Sequence, residues 1–201
     1  MHDYNISTID RKTYYYWISL VSFFISSLLI EIVKSLNSKF DIYIIAPSGL
    51  LIFALVFFLF DKYIWKWNWL YKLGIMKIPN LNGKWVCIID SSKDKVSRTI
   101  VTSLVIHQTF SKIKFRLQTE KSISVSKMAD ITMLDPNYFE VRYEYSAEYT
   151  ASIDAEAIRH YGVTNLHLTY ETDGNFSTII NGYYYTEQKR DSHGYFKISK
   201  A

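Results

Sequence analysis

Two uncharged apolar tracts near the N-terminus constrain this chain more than any other feature. Residues Tyr14 to Ile30 read YYYWISLVSFFISSLLI and residues Ile42 to Phe60 read IYIIAPSGLLIFALVFFLF. At about 1.5 Å of helical rise per residue, each approaches the roughly 20 residues that cross a hydrocarbon core of about 30 Å. Together they predict a transmembrane hairpin. A cleaved signal peptide fits the first tract poorly, because no small-residue cleavage site follows it and a second apolar tract arrives soon after. Arg11 and Lys12 precede the first tract, Lys34 and Lys39 fall in the expected connection, and Lys62, Lys66, Lys72 and Lys77 follow the second. That distribution predicts a multi-pass protein with both termini in the cytoplasm.

Tyr14, Tyr15, Tyr16 and Trp17 at one end, and Tyr63, Trp65, Trp67, Trp69 and Tyr71 at the other, carry the amphipathic rings that settle at headgroup depth. The stretch DKYIWKWNWLYKLG is expected to continue the second helix along the interface until Gly74 ends it. Ser19, Ser22 and Ser26 recur at helical spacing, and Ala46, Ser48 and Gly49 cluster near Pro47. Small residues let helix backbones approach, so they serve equally to pack the two spans together or to form an oligomer face.

After Pro79 the pattern alternates with a period of two. KIKFRLQ sets Ile113, Phe115 and Leu117 against Lys114, Arg116 and Gln118, and FEVRYEY sets Phe139, Val141, Tyr143 and Tyr145 against Glu140, Arg142 and Glu144. Further strands are expected over 84–90, 97–108, 121–132, 164–170, 176–186 and 194–200, with DSSKD, LDPN and ETDGN as turns. No βαβ alternation appears, so neighbouring strands should pair in an antiparallel meander. Eight such strands favour closure, which removes both edges and leaves room inside for side chains or one small ligand. The predicted organisation is a membrane hairpin and interfacial helix over 1–77, followed over 78–201 by an eight-stranded, up-and-down, lipocalin-like β-barrel. Gly83-Lys84-Trp85 resembles the opening of lipocalin-type barrels, which implies that Gly83 permits a bend at the entry and Trp85 plugs the closed end. SIDAEAIRHYG, residues 152–162, breaks the rhythm and is expected to form a short helix ended by Gly162, covering one rim.

Charge and chemistry narrow the function. The net charge is +4, with eight Lys/Arg against five Asp/Glu before residue 78 and fifteen against fourteen after it, which does not describe a DNA or RNA binder. Cys87 is the only cysteine, so no internal disulfide forms, and a reducing compartment is favoured. His2, His107, His160, His167 and His193 lack metal-ligand spacing. No nucleophile elbow, P-loop or dinucleotide fingerprint occurs. Neither catalysis nor a cofactor is expected.

What remains is INGYYYTEQKRDSHGYFKISK. Tyr183 and Tyr185 share one strand face with Ile179 and Asn181, Tyr184 and Thr186 share the other, and Lys189 and Arg190 lie in the following connection. Tyrosines and nearby cations meet the needs of a planar base and a phosphate diester. The same tyrosines also suit the filling and girdling of a barrel, with the cations solvated. Ser122, Ser124 and Ser126 in SISVS share a face that points inward as donors or outward to water.

The order of parts resembles the two-transmembrane, β-strand-rich effectors of bacterial cyclic-oligonucleotide antiphage signalling (CBASS). The resemblance rests on the two spans, on Pro79, Leu81, Gly83 and Trp85 in a P-x-L-x-G-x-W entry, and on VIHQTFSKIKFRLQTEKSISVS at 105–126. It extends to RHYG at 159–162 and GYYYTEQKRDSHGYFKIS near the end. It implies a barrel that binds a cyclic dinucleotide made by a partner synthase. Binding would drive homo-oligomerisation in the lipid bilayer of the inner membrane, disrupt it and kill the infected cell. Carried to this chain, it implies a pocket with Tyr185, Thr186 and Arg190, and secondarily Tyr183, Ser124, Ser126 and Arg98; an arginine fork suits a phosphate. Two other readings stay open on sequence: a membrane-tethered carrier of an apolar small molecule, and a structural module that recruits a protein.

Overall fold

The computed structural model describes residues 1–7, 9–41, 43–91, 98–120, 122–135, 138–149, 159–169, 179–187 and 192–200. The chain divides into two compact units, Asp10–Trp67 on the one hand and Asn68–Ala201 together with Met1–Ile9 on the other. Residues 1–9 and 68–77, which the sequence attaches to the membrane segment, therefore group with the strands.

In the first unit, helix α1 (Arg11–Phe40) runs for 30 residues. The Asp10 side chain caps it by accepting the Lys12 N–H at 2.9 Å, and Asp41, with φ of 50°, ends it in the left-handed region. No Gly or Pro interrupts the stretch after Ile30, so the helix continues past the apolar tract. Lys34 and Lys39 consequently lie on α1 and not in a loop, with Lys34 Nζ 3.0 Å from Glu31 one turn earlier. The second tract departs further from expectation. Helix α2 (Gly49–Lys62) has 14 residues, about 21 Å of rise, and the residues from Tyr43 to Ser48 are not helical. Pro47 disfavours a helical conformation in the residue before it, and Ser48 then caps α2 with Oγ accepting the Leu51 N–H. Among the described residues, only α1 is long and apolar enough to cross a membrane by itself.

The two helices pack antiparallel. A Cβ on Gly49 would lie 3.7 Å from Ser26 Oγ, the Tyr15 and Phe57 rings are 5.9 Å apart, and the Asn37 amide exchanges two 2.9 Å hydrogen bonds with the Ile44 backbone. Ile18, Ser22, Ser26 and Ile52 are buried, whereas Ser19 is exposed. Ser26 and Gly49 thus use their small size within the pair. Past α2 the expected interfacial helix is interrupted. Tyr63 and the extended Trp67 flank a 3-10 turn, Ile64–Lys66, because aromatic residues at every second position cannot share one face of a 3.6-residue helix.

The second unit opens with strands β1 (His2–Asp3) and β2 (Asn5–Ile6). After Trp67 comes the one-turn helix α3 (Asn68–Lys72), which Gly74 ends at φ of 68°, with Ile75 and Met76 N–H both donating to Leu70 O. The wall follows as β3 (Gly83–Ser91), β4 (Arg98–Gln108), β5 (Lys112–Gln118), β6 (Ser122–Asp135), β7 (Tyr138–Tyr149), β8 (Arg159–Thr169), β9 (Ile179–Thr186) and β10 (His193–Lys200). Each pairs antiparallel with its sequence neighbour, β10 pairs with β3, and β5 pairs with β6, so eight strands close into an up-and-down barrel.

One half of the interior is solid. Trp85, Leu104, Ile106, Ile113, Phe115 and Ile131 are essentially fully buried there. Gly83, at φ of 143°, makes the entry bend that glycine tolerates. Trp85 then turns inward, its Nε1–H donating to Leu81 O at 3.0 Å. The expectation of a helix through 152–162 is corrected where it can be seen: Arg159–Gly162 open strand β8, and 152–158 lie outside the described residues. Gly162 is a strand glycine because the Tyr145 ring occupies the space beside it. A Cβ there would sit 2.4 Å from Tyr145 Oη and 2.7 Å from the Tyr185 carbonyl.

The seam between β5 and β6 is only partly zipped. Cα partners run from Arg116↔Val125 to Gln118↔Ile123, and a bulge between Ser126 and Met128 marks where the strands part. The N-terminal residues enter below that point, β1 pairing antiparallel with β5 at Lys112 and Ile113, and β2 pairing parallel with β6 at Asp130 and Ile131.

Candidate ligand-binding site

Strand alternation decides which residues see the inside of a barrel. On β7 the inward set is Phe139, Val141, Tyr143, Tyr145, Ala147 and Tyr149; on β9 it is Gly182, Tyr184 and Thr186. Towards the end where β3 finishes and β4 begins, a cavity of about 420 Å³ opens, with Ile89, Ile100, Val101 and Leu117 in its lining. That volume lies within the range of small-molecule pockets, roughly 300–1,000 Å³.

The wall is aromatic and hydroxylic. Tyr143, Tyr145, Tyr149, His160, Tyr184 and Phe196 supply rings, while Ser91, Thr99, Thr119, Ser122, Ser124 and Thr164 supply hydroxyls. Glu120 at the rim is the one fully charged residue among the described lining residues, and none of them is Lys or Arg. Tyr143 stacks on Phe115 with centroids 4.2 Å apart, and complete burial pushes its phenol well above the ordinary range. The fully buried Thr164 hydroxyl beside that phenol opposes part of the shift. Tyr184 donates to Ser91 Oγ at 2.7 Å, tying β9 to β3 across the cavity wall, and packs edge-on against Phe196. The His160 ring stands 5.9 Å from Tyr149 and 6.4 Å from Tyr145. Cys87, deeper in the barrel, is pushed up to about 12 by burial, which makes it an inert core thiol.

The residues singled out from sequence separate into four groups. Ser124 is buried and lines the cavity. Ser126 is inward and buried but already engaged, accepting the Phe115 N–H at 2.9 Å and bonding His2 Nε2 at 2.7 Å. Thr186 stands at the mouth, half-buried, its hydroxyl occupied by Ser192, which itself lines the cavity. Tyr183 and Tyr185 point outward, each 41% exposed. On that outer face Asn165 donates to the Tyr183 hydroxyl at 2.7 Å, the Tyr183 ring lies near His167, and Arg142 reaches the Tyr185 hydroxyl at 3.4 Å. Arg98 begins β4 opposite Ser91 at the mouth. Lys189 and Arg190 lie outside the described residues.

The sequence singled out Tyr183 and Tyr185 on β9, whereas the tyrosine of that strand that lines the cavity is Tyr184. The signal that would have found it was Gly182, which shares the Tyr184 face. A Cβ at Gly182 would come 2.1 Å from the Asn165 carbonyl and 2.9 Å from Leu166 Cδ2, so its face is the crowded interior. Tyr143 and Tyr145 belonged to the apolar face already read from alternation, and His160 sat inside the quoted RHYG.

Fold and site define a class: an up-and-down barrel, closed and packed at one end, with a cavity at the other lined by rings and hydroxyls. The family model described as "Cap15, cyclic dinucleotide receptor domain" matches residues 76–200. The chain belongs to that family, the receptor domain of CBASS effectors. No curated protein matches it.

Proposed function

We propose that this protein is a membrane effector of CBASS antiphage immunity whose barrel binds a cyclic dinucleotide in the described cavity. Residues 78–201 do the sensing and the membrane segment within residues 1–77 carries out the response. The observation that carries the reading is that every described lining residue, from Ile89 to Phe196, falls inside the matched span of 76–200. Bases stack on tyrosine and phenylalanine rings whatever their identity, and hydroxyls reach ribose and base edges.

The ligand's two phosphates need cations that the described wall lacks. Arg98, at the first residue of β4 opposite Ser91, and Arg190, which the sequence places between Thr186 and His193, would supply them. Ser124 would contact the ligand from the wall, with Thr186 at the rim. Tyr183 and Tyr185 would take part only indirectly, by fixing the strand that carries Tyr184.

Chain topology supports a two-pass anchor. Residues 1–9 and 68–201 form one unit, so the intervening segment leaves and returns on the same side of a bilayer and crosses it an even number of times. Helix α1, about 45 Å long, is ample for one crossing. The return would use α2 plus the non-helical residues from Tyr43, which add up to roughly 3.3 Å each. The positive charges flanking the segment favour cytoplasmic termini and a cytoplasmic barrel. Ligand made by a partner synthase, binding the assembled state better than the monomer, would shift the protein to oligomers by mass action and rupture the inner membrane.

Calorimetry on the full chain in detergent, against cyclic di-AMP, cyclic di-GMP and cyclic UMP–AMP, tests the reading. At least one should bind, and Arg190→Ala should weaken it by about 10- to 150-fold, as loss of a charge-assisted hydrogen bond of about 1.5–3 kcal/mol requires. Absence of binding by all of them would refute the proposal.

A further inference from the structure

No periodicity marks residues 2–6 as part of the barrel wall, yet the wall is incomplete without them. Where β5 and β6 part, their facing edges would leave backbone N–H and C=O groups unpaired, and each such group has to find a partner. His2 and Asp3 pair with Ile113 and Lys112 on one edge; Asn5 and Ile6 pair with Asp130 and Ile131 on the other, and the Ser7 N–H adds a bond to Ile131 O.

Side chains lock the segment in place. Tyr4 and Ile6 are 3% and 7% exposed. The Tyr4 hydroxyl donates to Phe110 O at 3.0 Å and receives a bond from Gln108 Nε2, and the same buried Gln108 amide joins Pro79 O and the Leu81 N–H. At the fork itself the bonds form a relay. The Phe115 N–H donates to Ser126 Oγ, and Ser126 Oγ bonds His2 Nε2 while His2 Nδ1 bonds Asp3 O. Ser126 follows Ser124 by two residues on the same inward face of β6, and Ser124 lines the cavity. Three residues after Ser7, Asp10 caps α1.

We propose that the β5–β6 seam is a strand-acceptor groove for the chain's own N-terminus, and that this strap transmits occupancy of the cavity to the membrane helices. The recognition is β-augmentation, with backbone ladders supplying affinity and the Tyr4 and Ile6 pockets supplying register. A ligand that engages Ser124 acts on β6 just above the fork. A change in the seam there alters the grip on residues 2–6, and the covalent continuation of that strand is α1. The link rests on the functional reading above, because it needs a ligand in the cavity.

Two measurements on the full chain test it. In a Cys87→Ala background, Asp3→Cys with Lys112→Cys should oxidise to a cross-link within one chain; a cross-link only between chains, or none, overturns docking of the strap. A released strap, Tyr4→Ala with Ile6→Asp, should leave calorimetric affinity for the cyclic dinucleotide within about threefold of wild type. Ligand-triggered dye release from phosphatidylethanolamine–phosphatidylglycerol vesicles should fall about tenfold, the usual scale of coupling between sites. Tyr4→Phe, which removes only the hydroxyl, should fall between them and guards against misfolding of the double variant. Release variants that leak like wild type, or whose affinity and leakage fall together, overturn the link. A wild-type protein that binds no cyclic dinucleotide sinks the functional reading and the link together, while leaving the intramolecular cross-link standing.

Discussion

Replacing Gly162 by alanine puts one methyl group into a tight contact of the cavity wall. Its Cβ would lie 2.4 Å from Tyr145 Oη, 2.6 Å from Tyr145 Cζ and 2.7 Å from the Tyr185 carbonyl. The ring can swing, but only further into the cavity, and the carbonyl belongs to the β8–β9 ladder, where Val163 faces Tyr185. Overpacking of this kind costs about 1–3 kcal/mol. For a unit of roughly 140 residues, at about 2.1 cal/mol/K of unfolding entropy per residue, that lowers the melting temperature by about 3–10 °C. Thermal unfolding of the full chain in detergent, followed by circular dichroism, measures it, and calorimetry should show weaker ligand binding as Tyr145 intrudes. A double-mutant cycle sharpens the test. Tyr145→Ala alone costs about 3–5 kcal/mol, but with the ring gone Gly162→Ala should cost less than in the wild type, giving a coupling of about 0.5–3 kcal/mol. Strict additivity, or a Gly162→Ala protein as stable as wild type, would refute the placement of Tyr145 against Gly162.

Other consequences can be measured separately. Ser124→Ala should weaken cyclic dinucleotide binding about 3- to 10-fold by calorimetry, the worth of one neutral hydrogen bond, with little change in melting temperature; an unchanged affinity would remove Ser124 from the contact. Cys87 should resist iodoacetamide at pH 8 until the barrel unfolds, since the folded thiol is pushed up from 9 to about 12. The sign for stability follows from the same shift: the unfolded chain releases this proton first, so stability complete below pH 9 declines towards pH 12, by about 1.4 kcal/mol per pH unit. Urea unfolding at pH 9 and 10.5 should therefore show a steeper loss for wild type than for Cys87→Ala, and equal losses would contradict a protonated buried thiol.

Membrane character and barrel closure were legible in the sequence for different reasons. The tracts at 14–30 and 42–60 announce themselves by composition alone, because hydrocarbon excludes charge. Their helical lengths did not follow, since helix ends depend on caps and breakers: Pro47 and Ser48 shorten the second helix, and the absence of any breaker after Ile30 lengthens the first. The eight strands were legible because a wall with one wet face writes its parity into the residues, as in Phe139, Val141, Tyr143 and Tyr145. Parity failed in GYYYT, where tyrosines occupy both faces and only the crowding at Gly182 separates inside from outside.

The sequence by itself determined that charge-free apolar tracts precede a closed antiparallel barrel, since both are statements about periodicity and the solvent each residue prefers. Tertiary structure alone decided that Tyr184 and His160 face the cavity, that Ser126 is committed to the wall, and that residues 2–6 complete the β5–β6 seam. The physical reason is that the longest of these contacts join residues far apart in the chain, 93 positions for Tyr184 and Ser91 and 124 for His2 and Ser126, through side chains and strand edges whose meeting no local pattern records.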